Sequence, residues 1–504
     1  MLLTFVLAFA LAACDPKGKS GLKDNIIDDN YDNYYEIFVY SFNDSNGDGY
    51  GDFNGVTEKL DYIRDMGFTG IWLMPINPSP SYHKYDVRDY KDVDPLYGTM
   101  EDFDRLLKKA HDLGIKVIID FVVNHTSSQH PWFIASRQAH LNGDTASEYY
   151  DYYNWSTSAK DGYNKFRNLY YESRFDPDMP DLNLDCEGVR EGISDAIKFW
   201  MEKGVDGFRL DAVRYYYYGD TEKSVEFTGW IKTEAVKYNP KAYIVGEDWS
   251  SSSEIKQFYT SGADSFFCFP TQGSSGYVNS AVLDAFNRNN PKNAANSYFK
   301  SQSTVIELAN GYIPAPFLCN HDTGRAAGFF VRDPDRIKFG YGLLSMYTGN
   351  TFTYYGDEIG MLGSQNDPDK RVGMRWKADT EPIYPPGVTS YDAETFYVFD
   401  SVKEQLADEN SILNYYKACN RTRNAFPALM RGTPERVECE NESLLVFTKT
   451  YEKETVTIVI NFSGEEQKLS GLEGKLKQGL CVEGKVTVSG STLRLPRYSI
   501  AILA

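Results

Sequence analysis

A repeating unit of a short apolar strand, a loop, an amphipathic helix and a glycine runs along most of this chain. Apolar residues recur at helical spacing over 56–66, and a glycine separates them from the apolar run 70–74. The same order recurs over 103–119 and 193–210, which is typical of parallel strands that alternate with helices. Eight candidate strands result, the number that a closed (β/α)8 TIM barrel requires: 36–42, 70–74, 117–123, 207–210, 243–248, 265–270, 314–319 and 352–356.

Two stretches depart from the repeat. A long run rich in Tyr, Asn, Asp and Ser separates the third strand from the third helix, and a loop of such length is usually functional or a small domain. Beyond about residue 425, short strands of alternating polarity replace the repeat. We therefore expect a barrel over 34–124 and 187–425, an inserted domain B over 125–186, and a C-terminal antiparallel β-sandwich over 426–504.

The first 13 residues form an uncharged apolar run that ends Leu-Ala-Ala before Cys14. The run is too short to cross a bilayer as a helix and is typical of a secretory signal. Leu-Ala-Ala-Cys also resembles a bacterial lipobox, in which the cysteine becomes the acylated first residue. We therefore predict a lipoprotein signal peptide over 1–13, a flexible tether over 14–33, and a protein lipid-anchored to the bacterial membrane surface through Cys14. A simple secretory signal stays open as the alternative.

The net charge of −19 limits the partners that the surface attracts. Strongly acidic surfaces repel nucleic acid and anionic lipid headgroups, so we expect no nucleic-acid ligand. Aromatic residues make up 15% of the chain. Aromatic rings that carry a polar group, such as those of tyrosine and tryptophan, suit the C–H faces and hydroxyl edges of sugars. The composition therefore agrees with a neutral carbohydrate ligand without selecting one.

Polar and charged residues stand where four of the predicted strands end. Because the carboxyl ends of barrel strands meet at one face, we expect these side chains to converge. Arg209 lies two residues before Asp211, so both side chains point to the same face and the arginine can hold that carboxylate. The set comprises Asp120, Asn124, His125, Arg209, Asp211, Glu247, Asp248, Asn320, His321 and Asp322.

Such a set suits the hydrolysis of glycosidic bonds. One carboxylic acid protonates the leaving oxygen while a second carboxylate traps the oxocarbenium-like carbon. The acid needs a raised pKa, which burial and neighbouring carboxylates supply. The second carboxylate must stay ionised, which an adjacent arginine favours. The pattern therefore predicts a glycosidase.

These strand ends resemble the signature regions of glycoside hydrolase family 13, the α-amylase family. The matching segments occur in the order and spacing of that family, and together they extend over nearly the whole chain after the tail. They are 120–125, 207–214, 246–249, 317–322 and 352–360.

The resemblance implies roles for individual residues. Asp211 would be the nucleophile, Glu247 the general acid/base and Asp322 the third carboxylate. The implied enzyme is a retaining α-glucan hydrolase that works by double displacement. The residues implied to bind substrate are Tyr85, Asp86, His125, Arg209 and His321.

Two details indicate a subgroup. Residues 179–183, Met-Pro-Asp-Leu-Asn, resemble a motif of amylases intermediate between the oligo-1,6-glucosidase and neopullulanase groups. Ala212 follows the implied nucleophile, whereas a valine there tends to accompany α-1,6 preference in related glucosidases. The resemblance therefore favours cleavage of α-1,4 bonds in starch, maltodextrins or related oligosaccharides, by an enzyme that we expect to be monomeric.

Other functions stay open. An α-glucanotransferase, an α-glucosidase or a neopullulanase of the same fold would carry the same motifs. A lipoprotein that binds starch without cleaving it is a more remote alternative. Relatives without activity usually lack a catalytic carboxylate, and this chain retains all three.

Residues 44–52 carry oxygen donors at alternate positions around glycines, as an EF-hand loop does. Gly55 stands where an EF-hand has its bidentate glutamate, so the loop is not an EF-hand. Hard oxygen donors select Ca2+ over softer metals, and the family has a matching calcium loop after its first strand. A second calcium near Asn124 stays open, because Tyr215 stands where calcium-dependent members often have histidine. The predicted ligands of the loop are Asp44, Asn46, Asp48, the carbonyl of Tyr50, and Asp52.

Overall fold

Eight parallel strands form a barrel in the computed structural model, which describes residues 22–504. Numbered along the chain, they lie side by side in the order seven, six, five, four, three, two, one and eight. A parallel bridge between Phe317 and Phe352 joins the seventh strand to the eighth. The predicted (β/α)8 fold is therefore confirmed. The barrel strands span Asn33–Ile37, Gly70–Leu73, Lys116–Phe121, Gly207–Leu210, Tyr243–Gly246, Ser265–Cys268, Ala315–Pro316 and Thr351–Tyr354.

The first strand does not lie where the sequence pattern predicts it. The predicted range is 36–42, whereas the strand spans Asn33–Ile37 and a short helix follows at Val39–Phe42. All of residues 33–42 are buried and most of them are apolar, and such a run carries no periodicity that separates a buried strand from a buried helical turn. Parallel pairing with the second and eighth strands sets the true position.

Helices surround the barrel and bury one apolar face against the strands. In Met100–Asp112, Thr99 and Asp102 form a reciprocal capping box at the first turn, and the apolar side chains are buried. The other helices of the barrel region span Phe53–Asp65, Glu187–Lys203, Thr221–Tyr238, Ser252–Phe258, Tyr277–Phe286, Pro291–Ala309, Ala326–Phe329, Pro334–Ser345, Asp367–Lys370, Val402–Ala407, Ile412–Ala425 and Pro427–Arg431.

The inserted region leaves the barrel after the third strand and returns to the same place. It contains one helix, Pro131–Asn142, and three short antiparallel strands at Trp155–Ser156, Tyr163–Phe166 and Leu169–Glu172. An isolated antiparallel bridge joins His125 to Asp181. The two ends of the insertion are thereby held beside the carboxyl end of the third strand.

Two antiparallel sheets form the C-terminal region. Val446 and Val459 of the larger sheet share one apolar core with Leu493 and Leu495 of the smaller sheet, so the expected β-sandwich is present. The larger sheet contains Thr433–Val437, Leu444–Tyr451, Glu454–Asn461, Leu476–Cys481 and Ser499–Leu503, and the smaller contains Gln467–Ser470, Thr487–Ser489 and Thr492–Leu495.

Part of the segment expected as a tether lies against the barrel. Residues 22–32 have no helix or strand, yet the Asn25 amide donates to the Asn424 carbonyl at 2.8 Å and Asp24 pairs with Arg64 at 2.9 Å. The chain is therefore attached from about residue 24 onward. The predicted signal segment and Cys14 lie outside the described residues. Within residues 22–504, no helix is both long and apolar enough to cross a membrane.

Arg423 joins the first barrel strand to the segment that leads into the eighth. Its fully buried guanidinium donates to Asn33 Oδ1 at 2.7 Å. It also donates to the carbonyls of Ser345, Tyr347 and Gly349 at 2.6, 2.8 and 2.6 Å. These bonds satisfy carbonyls at the end of the helix Pro334–Ser345 that would otherwise be buried without partners.

Replacement of Arg423 by lysine should lower the free energy of unfolding by about 3 kcal/mol, because a single ammonium group cannot reach the four acceptors of the guanidinium. Urea unfolding measures this change. The matched control is Arg421→Lys on the same helix, where the half-buried guanidinium meets Asp65 at 2.9 Å. That change should cost under about 1 kcal/mol, and equal costs for both variants would contradict the importance of Arg423 for barrel closure.

Candidate active site

Arg209 stands among carboxylates at the carboxyl ends of the third, fourth and fifth strands. Its side chain is fully buried. Nη1 lies 2.8 Å from Asp120 Oδ1 and 2.7 Å from Asp211 Oδ1, and Nη2 lies 2.7 Å from Glu247 Oε2. A planar guanidinium with five N–H donors is suited to binding several carboxylates at once. The arginine thereby fixes Asp211 and Glu247 at its two amino groups.

The register of the sheet brings these residues together. Asp120 pairs with Arg209 across the third and fourth strands, and the residues that precede Asp211 and Glu247 pair across the fourth and fifth. Ala212 then adopts a left-handed backbone with φ 47°, and its N–H lies 3.3 Å from Glu247 Oε2. Adjacent parallel strands that end at the same level therefore deliver the two carboxylates side by side.

A second network surrounds His321 after the seventh strand. Its Nδ1 lies 2.5 Å from Glu36 Oε1, and its Nε2 lies 2.7 Å from the Tyr85 hydroxyl oxygen and 3.0 Å from Asp322 Oδ2. The Tyr85 hydroxyl also lies 3.1 Å from Asp120 Oδ2. The ring of Tyr85 stacks on that of His321 with centroids 5.6 Å apart. Tyr85 therefore connects this network to the carboxylates around the arginine.

The carboxylate of Asp322 has a second cationic neighbour besides the imidazole. Arg371 Nη2 lies 2.9 Å from Asp322 Oδ1, and Lys370 donates to the backbone carbonyl of Asp322 at 2.8 Å. Burial by itself raises the pKa of Asp322, but His321 first and Arg371 second hold it well below the usual range. Its carboxylate, 30% exposed, therefore faces the cleft as an anion.

Glu247 has the opposite electrostatic environment. Burial, with a smaller contribution from the neighbouring carboxylates Asp211 and Asp322, raises the pKa of Glu247 to about 7 against the opposing effect of Arg209. Burial also raises the pKa of Asp120 to about 6, against the effect of the same arginine. Two carboxyl groups of one cleft, Glu247 and Asp322, thus differ in protonation near neutral pH, which is typical of an acid/base pair in catalysis.

The remaining predicted substrate-binding residues occupy different places. Asp86 is buried and accepts hydrogen bonds from the hydroxyls of Ser79, at 2.6 Å, and Ser81. It supports the loop that carries Tyr85 and does not line the cleft. His125 does line the cleft, and its buried Nε2 has no hydrogen-bond partner among the described residues. Burial lowers the pKa of His125, so a neutral ring faces the ligand space.

A cleft of about 570 Å³ opens over these residues and is bordered by Asp211, Glu247 and Asp322. Two large rings at its edge are unusually exposed, Phe175 at 46% and Trp249 at 49%. Trp249 stacks on Phe269 with centroids 4.9 Å apart, which holds the exposed indole in place. Flat rings beside carboxylates present the surfaces that a sugar needs.

The predicted metal loop curls into consecutive turns. Asp44 Oδ1 accepts from the Asn46 N–H at 3.1 Å, Asn46 Oδ1 from the Asp48 N–H at 2.8 Å, and Asp48 Oδ1 from the Tyr50 N–H at 2.9 Å. Asp52 is buried and caps the next helix. Within residues 22–504, no three acidic, histidine or cysteine side chains are grouped closely enough to hold a metal. The loop therefore offers acid, amide and carbonyl oxygens for a hard cation, but not a closed acidic cage.

Three residues of the site carried no predicted role. Asp120 belongs to the strand-end set but received no function, although it is the second carboxylate on Nη1 of the arginine. Glu36 is the one charged residue of the first strand, which is a signal for a buried functional acid. Arg371 lies beyond the eighth strand, and no local pattern connects it to Asp322, 49 residues earlier.

The chain matches the family described as "Alpha amylase, catalytic domain" over residues 36–432. It is 38% identical to Alpha-amylase 3 of Dictyoglomus thermophilum, over 85% of this chain and 84% of that protein, and 28% identical to an oligo-1,6-glucosidase of Heyndrickxia coagulans, over 85% and 91%. Amy13B of Eubacterium rectale superposes with a TM-score of 0.90 at 38% identity, covering 96% of this chain and 97% of that one. An α-amylase from H. orenii superposes with a TM-score of 0.81 at 32% identity, covering 94% and 99%.

The family match includes the barrel and the inserted region, and the superposition with Amy13B covers 96% of this chain. The fold, the strand-end acids and the sequence match therefore agree with one another. The chain belongs to the α-amylase family of glycoside hydrolases.

Proposed function

We propose that this protein is a retaining α-glucan hydrolase that cleaves α-1,4-glucosidic bonds of starch, maltodextrins or related oligosaccharides. The proposal rests on the guanidinium of Arg209, whose Nη1 and Nη2 lie 2.7 Å from carboxylate oxygens of Asp211 and Glu247, respectively. Retention requires carboxyl groups ~5–5.5 Å apart, and inversion requires ~6.5–9.5 Å. Two carboxylates that share one guanidinium favour the shorter separation.

Asp211 and Glu247 divide the two chemical steps. First, an oxygen of Asp211 bonds to the anomeric carbon as the glycosidic C–O bond breaks, and the proton of Glu247 passes to the leaving oxygen. Second, Glu247 takes a proton from a water whose oxygen attacks the same carbon and releases Asp211. A pKa of about 7 suits a group that first gives a proton and later accepts one.

Asp322, Tyr85 and His125 bind the sugar whose bond is cleaved. The ionised carboxylate of Asp322 accepts hydrogen bonds from sugar hydroxyls, and such bonds strengthen as the ring distorts toward the transition state. The flat ring of Tyr85 stacks on the apolar face of the sugar. His125 presents its unpaired Nε2 to a hydroxyl, which would satisfy a buried polar atom.

The bond preference rests on the residue after Asp211. Ala212 lines the cleft with a small side chain on a left-handed backbone, a conformation that β-branched residues rarely adopt. The alanine favours α-1,4 over α-1,6 bonds, as does the similarity to proteins named α-amylase. An α-glucosidase activity is the second candidate, favoured by the similarity to the oligo-1,6-glucosidase.

A protein that only binds starch is disfavoured by the state of the three carboxylates. Asp211 and Glu247 are bound by one guanidinium, and Asp322 is bound by a second one. A binding site has no need for a buried carboxyl group with a pKa near neutrality, whose desolvation is costly. Catalysis explains this cost and binding alone does not.

We also propose that the loop 44–52 binds Ca2+. Asp44, Asn46, Asp48 and the carbonyl of Tyr50 would hold the ion, and Asp52 would support the loop from the helix it caps. Among the described residues, no lysine or arginine pairs with Asp44 or Asp48, so a bound cation would neutralise these carboxylates. The ion would stabilise the loop and take no part in bond cleavage.

The anchoring of the chain stays a proposal based on its first residues. Leu-Ala-Ala-Cys supports acylation at Cys14, and one acyl chain gives only marginal membrane binding by itself. We propose a lipid-anchored enzyme outside the cytoplasm that acts as a monomer on soluble or insoluble glucan. Secretion without an anchor remains the alternative.

The change Asp211→Asn should lower the release of reducing sugar from soluble starch by several orders of magnitude, because an amide cannot form the covalent intermediate. The variant Asp176→Asn is the matched control, since Asp176 borders the same cleft but does not contact Arg209. It should keep most of the activity. Comparable activity of Asp211→Asn and the wild type would overturn the role of Asp211.

The value of kcat/KM should fall as the pH rises through about 7, because Glu247 must be protonated to act as the acid and burial raises its pKa to about 7. Initial rates on a chromogenic maltooligosaccharide from acid to alkaline pH measure this fall, which is the alkaline limb of the pH profile. Burial also raises the pKa of Asp357 to about 7, yet Asp357 does not border the cleft. The control variant Asp357→Asn should therefore show the same fall of kcat/KM at alkaline pH. If the fall disappeared in Asp357→Asn, the assignment of this pH dependence to Glu247 would be wrong.

Removal of calcium with EDTA should lower the melting temperature by several degrees, because a ligand that binds only the folded state stabilises it. Scanning calorimetry with added Ca2+ or with EDTA measures the difference. In Asp48→Ala the two melting temperatures should coincide. A wild-type protein that melts at one temperature under both conditions would argue against a calcium loop.

A further inference from the structure

His321 lies between two carboxylates that belong to different strands. Glu36, in the middle of the first strand, places Oε1 2.5 Å from Nδ1 of the ring and 3.4 Å from the backbone N–H of the same residue. On the other side of the ring, Nε2 faces Asp322 Oδ2 at 3.0 Å. The side chains of Glu36 and His321 are 1% and 0% exposed, so solvent cannot replace either contact.

The chemistry of the partners determines the protons on the ring. An ionised carboxylate only accepts hydrogen bonds, and a neutral imidazole has a single N–H to donate. Each ring nitrogen of His321 has a carboxylate at hydrogen-bond distance. The Tyr85 hydroxyl also lies 2.7 Å from Nε2, but it donates its own proton to Asp120 Oδ2 and can therefore only accept from the ring. With Tyr85 in this orientation, all contacts of the ring are satisfied only when both nitrogens carry a proton. The geometry therefore favours an imidazolium.

We propose that Glu36 is a positioning residue that keeps both ring nitrogens of His321 protonated, so that the ring presents Asp322 to the sugar as an oriented anion. The inference rests on the proposed function in one respect, the role of Asp322 in binding sugar hydroxyls. Glu36 itself does not border the cleft and acts only through His321.

The other groups around the ring also affect its charge. Burial lowers the pKa of His321, but Asp322 and then Glu36 raise it, to about 9 overall. The Tyr85 hydroxyl at 2.7 Å is neutral, since burial holds its pKa well above 10. Arg371 donates to the His321 carbonyl at 3.4 Å, which places a cation near the ring and opposes its protonation. Of the groups that contact the ring nitrogens, Asp322 and Glu36 are the two that stabilise the imidazolium.

Two further carboxyl groups lie within electrostatic range of the ring. The charge of His321 lowers the pKa of Asp120 and of Glu247, and in return these groups favour the imidazolium when they are ionised. Neither forms a hydrogen bond to the ring. They cannot replace Glu36, because they do not contact Nδ1.

The change Glu36→Gln would keep the shape of the side chain and one of its hydrogen-bond acceptors but would remove its negative charge. The pKa of His321 should then fall from about 9 to between about 6 and 8, since an opposite charge at this distance changes a pKa by about 1–3. At alkaline pH the ring would become neutral and could donate to only one side. Asp322 would keep only Arg371 as a charged partner and would lose its fixed orientation.

The first measurement needs the wild-type protein alone. The chain has six histidines, so two-dimensional spectra of protein labelled with 15N at histidine resolve few ring signals, and the variant His321→Asn identifies those of His321. At about pH 7.5, where a free histidine is mostly neutral, both ring nitrogens of His321 should show the shifts of an imidazolium. A singly protonated ring there would overturn the proposal, whether or not any variant folds.

The second measurement compares the rates of Glu36→Gln and the wild type at two pH values. The ratio of their kcat values on a chromogenic maltooligosaccharide should be near one at about pH 5.5 and about one half or less at about pH 8, because acid restores the proton that Glu36 otherwise holds. The whole pH profile of each protein is measured, because the charge of His321 lowers the pKa of Glu247. A neutral ring in the variant would raise the pKa of Glu247 and so oppose the expected fall in rate at alkaline pH.

Glu358→Gln is the matched control for the loss of a buried carboxylate. Glu358 accepts from the hydroxyls of Tyr35 at 2.5 Å and Tyr62 at 2.8 Å and has no contact with His321. Its ratio to the wild type should not change with pH. A Glu36→Gln ratio that is equally low at both pH values would mean a merely structural role and would overturn the proposal. A chain inactive on every α-glucan would refute the proposed function, and the spectra would still decide the protonation of His321.

Discussion

Arg209 carries its charge inside the barrel, where its side chain has no exposure to solvent. A buried cation without partners is very costly, so the surrounding residues must supply negative charge. Three carboxylates do so, and they come from three adjacent strands whose register places Asp120 beside Arg209 and Asp211 beside Glu247. The positions of the proposed nucleophile and acid thus follow from the need to satisfy one guanidinium.

The same arrangement explains why these carboxyl groups differ in protonation. Three acids share one cation, so the cluster has more negative charge than positive, and Glu247 lowers the excess by holding a proton. Asp322 stays ionised because two other cations, His321 and Arg371, pair with its carboxylate. Two acids that face one cleft therefore differ in pKa through their partners and not through their burial, since burial raises the pKa of both.

Features that repeat or stand close together in the chain were predictable from the sequence. The βα units carry a strong periodicity, and Arg209 lies two residues from Asp211, so strand geometry alone brings them to one face. The contact between Glu36 and His321 was not predictable, because it joins residues 285 apart and exists only once the barrel has closed. The first strand was misplaced for a related reason, since its residues are buried on both faces and show no clear period, and its pairing partners determine its bounds.

The elements that choose the substrate differ from those that cleave the bond. The carboxylates stand at the ends of rigid strands, whereas the exposed rings Phe175 and Trp249 lie on loops, where changes leave the charges around Arg209 undisturbed. Ala212 is the exception, because it follows the proposed nucleophile directly and also borders the cleft. Its left-handed backbone disfavours β-branched side chains. A larger residue there would change the space for the sugar and shift the N–H that faces Glu247 at the same time, so at this position bond preference and acid chemistry cannot vary independently.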